Sequence, residues 1–467
     1  NIHSYYGTTL IKTYSYEKKE GTLLANLEKK LRAENVAFNP MEPEAVYKQI
    51  QKIKGEVLNP YLSLLSTFLN LYKANIKNEE ELYAKAQDEE SKMRLEAFFK
   101  IFVPILNLYN YYLKDNGLVD FSDMIASAKM IIDHGKHRLA FKYIIIDEFQ
   151  DISWGRYQLI LSMLSQGEGK SLFCVGDDWQ SIYRFTGSDI SLIVDFEKYF
   201  GTTKTTFLDT TYRFNDSIAK ISGEFIQKNP NQLPKTLITL TQATEPAIEA
   251  SVYEKNECIS ELRRILHYIS RERVGYRDTS VFILGRYNFN RPKAQDNLKL
   301  EFPHLSITWM TVHKSKGMEA DYVVIDPLDE GKYGFPTEII DDPLLYILLE
   351  KQQPFENAEE RRLLYVAMTR ARKKVFLLGN SNSPSKFLIE LGATRGLPPL
   401  CPICNQGLLV LSREVSNPTS QRFSTQPTDV EGTGWVGRCK RYQCKSVSKV
   451  SDEQAANYIK LKSQRKD

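Results

Sequence analysis

The sequence predicts an α/β protein, with a helical segment in front of the α/β part and a small cysteine-bearing module behind it. Three observations carry this expectation. Through the middle of the chain, apolar and β-branched runs ending in carboxylates alternate with helical patterns. Before them, from Gly21 to about Leu113, apolar residues recur at three-and-four spacing. After them, a stretch rich in proline and glycine leads into four closely grouped cysteines.

At 467 residues the chain can bury a large core, and its length predicts two to four domains. In the helical segment, Leu62, Leu65, Leu69, Tyr72 and Ile76 mark an apolar face, and the charges from Lys77 to Glu90 read as a solvated one. A further amphipathic helix follows Asp120-Phe121. The run Tyr143-Ile144-Ile145-Ile146 then ends in Asp147-Glu148, the pattern of a strand covered on both faces within a parallel sheet. A second such strand runs from Ser171 to Val175 and ends in Gly176-Asp177-Asp178. Strands are also expected at Ile248 to Tyr253, Ser280 to Leu284, Tyr322 to Ile325 and Val375 to Leu378. Ligands of such sheets bind beyond the carboxyl ends of the strands. Both acidic clusters therefore stand where phosphate chemistry would be done. Pro384, Pro398, Pro399 and Pro402, with Gly392 and Gly396, mark a linker.

The net charge of +4 is unevenly placed: from Val436 onward nine Lys/Arg face three Asp/Glu, a net of +6, which makes the tail the polyanion-facing end. No run of about 18 apolar residues and no signal-peptide core is present, which argues against a membrane partner. Of six cysteines, Cys174 and Cys258 are isolated, so the remaining cluster reads as metal ligands of a cytoplasmic protein rather than as disulfides. The chain opens on Asn1 and runs directly into a structured-looking segment, Thr8 to Leu24, so further sequence upstream is expected.

Asp147-Glu148 at a strand end suits a Mg²⁺-holding aspartate followed by a carboxylate that activates water. The pair does not stand alone. Asp147-Glu148-Phe149-Gln150-Asp151 is followed by Val175-Gly176-Asp177-Asp178-Trp179-Gln180-Ser181-Ile182-Tyr183-Arg184-Phe185 and by Asp209-Thr210-Thr211-Tyr212-Arg213-Phe214. Then come Met310-Thr311-Val312-His313-Lys314-Ser315-Lys316-Gly317-Met318-Glu319 and Glu359-Glu360-Arg361-Arg362-Leu363-Leu364-Tyr365-Val366-Ala367-Met368-Thr369-Arg370-Ala371. In order and wording these motifs resemble superfamily 1 DNA helicases of the UvrD/Rep type, and the Tyr-Arg-Phe variants resemble the helicase IV branch. The resemblance runs from about Val119 to Gly379.

That resemblance implies two RecA-like domains of the P-loop type, the first incomplete, which couple ATP hydrolysis to 3′ to 5′ movement on single-stranded and partly duplex DNA. Asp147 would hold Mg²⁺, Glu148 would be the general base and Gln180 would sense the γ-phosphate of ATP. Tyr212 would stack on adenine, Gly317 and Glu319 would meet the nucleotide, and Arg213 and Arg370 would be paired arginine fingers. The chemistry fits, because a planar guanidinium stabilises the charge that spreads over phosphoryl oxygens. On the DNA side the resemblance implies Tyr183, Phe185, His313 and Lys316. Tyr183 and Phe185 alternate just after Gln180, so one short segment would touch phosphate at one end and bases at the other; stacking tolerates any base, as a translocating motor requires. Many relatives carry Arg where this chain has Thr186, while Arg184 stands two positions earlier. The 95 residues between Arg213 and Thr308 leave no room for the large extra domain of UvrD and Rep.

A phosphate-cradling G-x-x-x-x-G-K-[ST] loop is not found. Gly167-Glu168-Gly169-Lys170-Ser171 lacks the spacing and precedes a strand, so it reads as a surface turn, and by family order the true loop would lie upstream of Asn1.

Cys401-Pro402-Ile403-Cys404 and Cys439-Lys440-Arg441-Tyr442-Gln443-Cys444 have the spacing of a tetrahedral Cys₄ zinc site, similar to the zinc ribbons in type IA topoisomerase tails. Trp435 and Tyr442, beside Arg438, Lys440 and Arg441, would add a stacking platform for single strands. The expected organisation is a helical accessory region over 1–113, the rest of the first RecA-like domain over 114–205, the second over 206–395, a zinc ribbon over 400–450 and a basic tail over 451–467. Two other readings stay open: a helicase-like binding module without ATPase activity, and the motor part of a helicase-nuclease.

Overall fold

The computed structural model describes residues 7–14, 16–17, 22–36, 60–75, 79–86, 88–167, 169–254, 257–272, 278–349, 354–392, 402–403, 408–413, 435–439, 447–451 and 454–455. They belong to two compact units, Asn1–Ser66 and Thr67–Asp467. In the first, the helix Leu23–Ala33 carries Lys30, whose ammonium lies 3.1 Å from the buried carboxylate of Glu17. That carboxylate also accepts the backbone N–H of Tyr14 at 2.8 Å.

The second unit opens with helices. Residues 67–75 are helical, and the helices Glu79–Lys85, Glu89–Asp115 and Phe121–Asp133 follow. Asp88 caps Glu89–Asp115 by accepting from Ser91 N at 2.7 Å, and Asp120 and Asp123 form a reciprocal capping box on Phe121–Asp133. Phe68 and Leu71, rather than Leu69 and Tyr72, take the most buried positions of the first helix. The reason is aromatic packing: Phe68 sits edge-on to Phe98 and Phe102 at 4.7 and 4.8 Å, and the three rings rotate the helix toward themselves.

The strands, numbered in chain order, form four sheets. β1 (Tyr143–Ile146) and β2 (Ser171–Cys174) pair in parallel, as do the short β3 (Thr210–Thr211) and β4 (Ile238–Thr239). β5 (Ile248–Tyr253), β6 (Thr279–Gly285), β7 (Leu305–Thr311), β8 (Ala320–Ile325) and β9 (Ala371–Asn380) make a five-stranded parallel sheet in the order β5-β9-β8-β6-β7. β10 (Leu409–Arg413), β11 (Trp435–Cys439) and β12 (Val447–Val450) form an antiparallel ribbon.

The five-stranded sheet is covered on both faces. Val281, Ile283, Val324, Phe376 and Leu378 enter one apolar cluster, while Leu284, Val323, Ile325, Val375 and Leu377 enter the other. The alternation follows the two-residue pleat of the strands. β1 differs from expectation. Tyr143 and Ile145 are each 72% exposed, whereas Ile144 and Ile146 turn toward the cluster around Phe149, Tyr157 and Ile160. Among the described residues β1 pairs only with β2, whose Phe173 stands out on the same exposed face, so only one face of this pair is covered.

At the carboxyl end of β8, Asp326 is almost fully buried, accepting from Tyr253 Oη at 2.8 Å and from Cys258 Sγ at 3.1 Å. Burial pushes its carboxyl up to about 6, and burial does the same to Asp329. A raised value means that the folded state holds the proton more tightly than the unfolded chain does. The contribution is complete below the ordinary carboxyl range and is lost as pH rises through about 6. The thermal midpoint is therefore expected to fall between mildly acidic and neutral pH, with Asp326 supplying about 3 kcal/mol of the change. Melting curves of Asp326→Asn should be flatter across this window; parallel profiles would remove Asp326 as the cause.

Candidate active site

The two acidic clusters lie side by side because β1 and β2 are adjacent and in register, Ile146 beside Cys174. Asp147 Oδ1 accepts the N–H of Glu148 at 2.8 Å, and Glu148 adopts left-handed backbone (φ 51°), which turns the chain sharply out of the sheet. Gln150 ties the two loops together. Its side-chain oxygen accepts Asp177 N at 2.9 Å, its amide donates to Glu148 Oε2, and its backbone carbonyl accepts Ser181 Oγ at 3.1 Å. Gly176 is required at this crossing: a Cβ there would stand 2.8 Å from Gln150 Oε1 and from Ile193 Cδ1.

The second wall comes from the C-terminal parallel sheet. Arg370 follows the helix Ala358–Met368 and is completely buried, with Nε donating to Val366 O at 2.9 Å and Nη2 to Gln180 Oε1 at 3.2 Å. Gln180 Nε2 in turn donates to Asp177 Oδ2 at 2.7 Å. Burial, followed by the neighbouring Arg213, pulls the Arg370 guanidinium down to about 10, so it remains charged at neutral pH. Arg213 Nε lies 3.5 Å from Glu319 Oε2, and Arg372 holds the other oxygen of that carboxylate. The Arg372 hydrogen bond, then the charges of Arg372, Arg213 and Arg370, keep Glu319 below its ordinary value against a modest desolvation. Gly317 takes positive φ with open space about it, and Tyr212 is 79% exposed. Asp147, Glu148, Gln180, Arg213, Glu319 and Arg370 thus converge across one cleft. Asp147 offers the hard oxygen donor that Mg²⁺ prefers, and such an ion, completed by substrate phosphates, needs few protein ligands. Among the described residues no three of His, Cys, Asp and Glu gather into a cage of their own.

Lys316 turns inward rather than toward a surface. Its ammonium pairs with Asp151, donates to Gln180 O at 2.9 Å, lies 4.0 Å from Glu148 Oε2 and sits over the Tyr183 ring at 4.9 Å. The cause is Asp151, a carboxylate that burial raises and that Lys316 stabilises in its charged form. Tyr183 Oη donates to His313 O at 3.3 Å, and the Phe185 ring stands edge-on to His313 at 5.3 Å. Burial lowers His313 to about 4, with Arg286 adding to the effect, so the imidazole is neutral at physiological pH. Phe185 and His313 face a groove of about 2240 Å³. The acid–arginine cleft lies outside this groove, on the other side of the segment from Gln180 to Phe185.

Sequence reasoning missed the residues that hold this arrangement. Lys235 bridges Asp177 and the fully buried Asp178 at 2.5 and 2.6 Å, and Asp178 also accepts from Gln232 and Leu233. Burial works against the Lys235 ammonium, but the two aspartates overcome it and hold its value above that of an ordinary lysine. Arg362 donates to Ser181 O at 2.6 Å and to Gln232 Oε1 at 3.1 Å. Arg362 lay inside a quoted motif and could have been singled out; Lys235 had no motif around it. The Gly167–Lys170 stretch precedes β2, and its lysine donates to Leu139 O and Phe141 O, as befits a turn. Of the expected zinc ligands, Cys439 ends β11 and is buried, while Cys401, Cys404 and Cys444 lie outside the described residues, as does Tyr442. Trp435 begins β11. No helix among the described residues is long and apolar enough to cross a membrane.

Two family models match the chain: the UvrD/REP helicase N-terminal domain over residues 2–201 and the UvrD-like helicase C-terminal domain over residues 291–382. DNA helicase IV of Escherichia coli K12 is 38% identical over 326 residues, which is 70% of this chain and 46% of that protein. The ATP-dependent DNA helicase PcrA of Staphylococcus aureus Mu50 is 30% identical over 277 residues, 58% of this chain and 36% of PcrA. The putative ATP-dependent DNA helicase YjcD of Bacillus subtilis 168 is 38% identical over 141 residues, 28% of this chain and 18% of YjcD. The chain thus spans less than half the length of each of these relatives. The two family models together take in the acidic loops, the groove residues and the arginine-bearing helix, and the chain belongs to the UvrD/REP helicase family.

Proposed function

We propose that this chain is the greater part of an ATP-driven motor that moves along single-stranded DNA and opens duplex ahead of it. The observation that carries the reading is the buried Arg370, aimed through Gln180 at the acidic loop of Asp147 and Glu148, with Arg213 beside it. Asp147 would hold Mg²⁺, which would neutralise the phosphates of ATP. Glu148 would take the proton of the attacking water, while Arg213 and Arg370 would stabilise charge on the transferring phosphoryl group. Tyr212, Gly317 and Glu319 would border the nucleotide. The strand would run through the groove against Phe185 and His313, with Tyr183 behind them. Lys316 would act as the internal link between cleft and groove. Travel from 3′ to 5′ follows from the family resemblance. The defining measurement is ATP hydrolysis by the full-length protein with and without single-stranded DNA; a rate that DNA does not raise would defeat the motor reading. Phe185→Ala is expected to weaken oligonucleotide affinity about tenfold or more, since base–aromatic stacking contributes about 1–3 kcal/mol; unchanged affinity would remove Phe185 from the DNA path.

The antiparallel ribbon β10-β11-β12, with a buried cysteine ending its middle strand, favours one addition. Cys401, Cys404, Cys439 and Cys444 would hold Zn²⁺, whose binding would fold the hairpins together and present Trp435 and Tyr442 to a single strand. Metal analysis of the full-length protein should show about one zinc fewer in Cys439→Ser, and equal metal content would exclude the site.

A further inference from the structure

Arg184 is a buried cation whose guanidinium makes no hydrogen bond among the described residues. It opens the short 3-10 turn Arg184–Thr186, its side chain is only 20% exposed, and Nη2 is shut off from solvent without a partner. Its nearest counter-charge is Asp341, with Nη1 3.6 Å from Oδ2, too long for a hydrogen bond. The ring centre of Tyr346 lies 5.9 Å away. The arginines around it are differently placed: Arg286 is clamped by Glu360 at 2.8 Å, Arg362 by Ser181 O at 2.6 Å and Arg370 by Val366 O at 2.9 Å. Leaving a buried, charged donor without an acceptor is costly, so such a group marks a place where a ligand supplies the acceptor.

We infer that Arg184 is a phosphate-binding residue, held ready for the backbone of the single strand whose base stacks on the neighbouring Phe185. The inference rests on the groove reading above and adds to it the residue that grips the strand's charge. Both side chains line the same groove, and consecutive residues can take the base and the phosphate of one nucleotide. A guanidinium matches two phosphate oxygens in a way that the distant Asp341 carboxylate does not. The groove lining mixes Lys198 and Lys314 with Glu338 and Asp341, so affinity is not spread over a uniformly basic wall and the loss of one cation should be visible.

The test is binding of a fluorescent oligothymidylate to the full-length protein across a salt series. Arg184→Ala is expected to lose about tenfold in affinity and to reduce the slope of log affinity against log salt by about 0.7, the value for one phosphate contact on a single strand. Arg184→Lys should keep the slope while losing part of the affinity, and Asp341→Asn, which removes the competing carboxylate, should bind more tightly. An unchanged salt slope in Arg184→Ala, with or without a lowered melting temperature, overturns the inference. If that variant does not fold, unchanged binding in both Arg184→Lys and Asp341→Asn overturns it equally. Phe185→Ala is measured in parallel: weaker binding there with wild-type binding in Arg184→Ala defeats only this inference. A wild-type protein that does not bind the oligonucleotide defeats the groove reading with it.

Discussion

Glu148→Gln, in the full-length protein, is expected to lower DNA-stimulated ATP turnover by about 10²–10⁴-fold while leaving nucleotide and DNA affinity near wild type. The substitution keeps the shape of a side chain whose backbone is held in the left-handed region and whose neighbour Gln150 fixes one end, so a lost rate reports lost basicity rather than lost structure. Arg370→Ala should lose about 10³-fold or more, the range of an arginine finger. Because Arg370 is fully buried and bonded to Gln180, Arg370→Lys is the necessary companion: it retains charge but not the planar fork. Steady-state hydrolysis and filter binding of nucleotide separate the outcomes. Turnover within a few-fold of wild type in both Glu148→Gln and Arg370→Lys would end the hydrolytic assignment.

Lys235→Met is expected to destabilise the fold by about 3 kcal/mol, because removing one partner of a buried pair leaves the other charge uncompensated. Asp178 is inaccessible to solvent, and its bonds from Gln232 and Leu233 do not neutralise it. Adding Asp178→Asn to Lys235→Met should restore most of the loss, since the charge to be compensated is then gone. Urea unfolding of the two single variants and the double variant measures this; simple additivity of the losses would show that the ion pair is not their source.

What the sequence disclosed follows from periodicity and wording. The strands from β5 to β9 were readable because a parallel sheet covered on both faces leaves continuous apolar runs, and Val281 to Leu284 and Val323 to Ile325 are buried throughout. β1 has the same composition yet shows solvent half of its side chains, since composition does not report how many neighbours a strand has. The cleft residues were named from their motifs, and Arg370, Gln180 and the Asp147–Glu148 loop do converge. Lys235 could not be foreseen: it becomes important only when the fold carries it to Asp177 and Asp178, more than fifty positions away. Lys316 was expected to meet DNA, but the buried Asp151 claims it, and burial is a property of the assembled structure rather than of a motif.

The division expected between two α/β domains, near residue 205, also needs revision. Trp179 and Ile182 follow the first sheet in sequence, yet they are buried in the apolar cluster of the second, where Trp179 stands edge-on to Tyr365 at 5.4 Å and donates to Leu233 O. Arg362 secures the intervening Ser181 carbonyl. The segment therefore behaves as an axle set into one wheel. Opening of the cleft can proceed by rotation about residues 179–182 but not by sliding past them, so displacement is least at Gln180 and grows with distance from it. A small angular change at the phosphate-sensing end becomes a longer stroke at parts of the molecule remote from the hinge line.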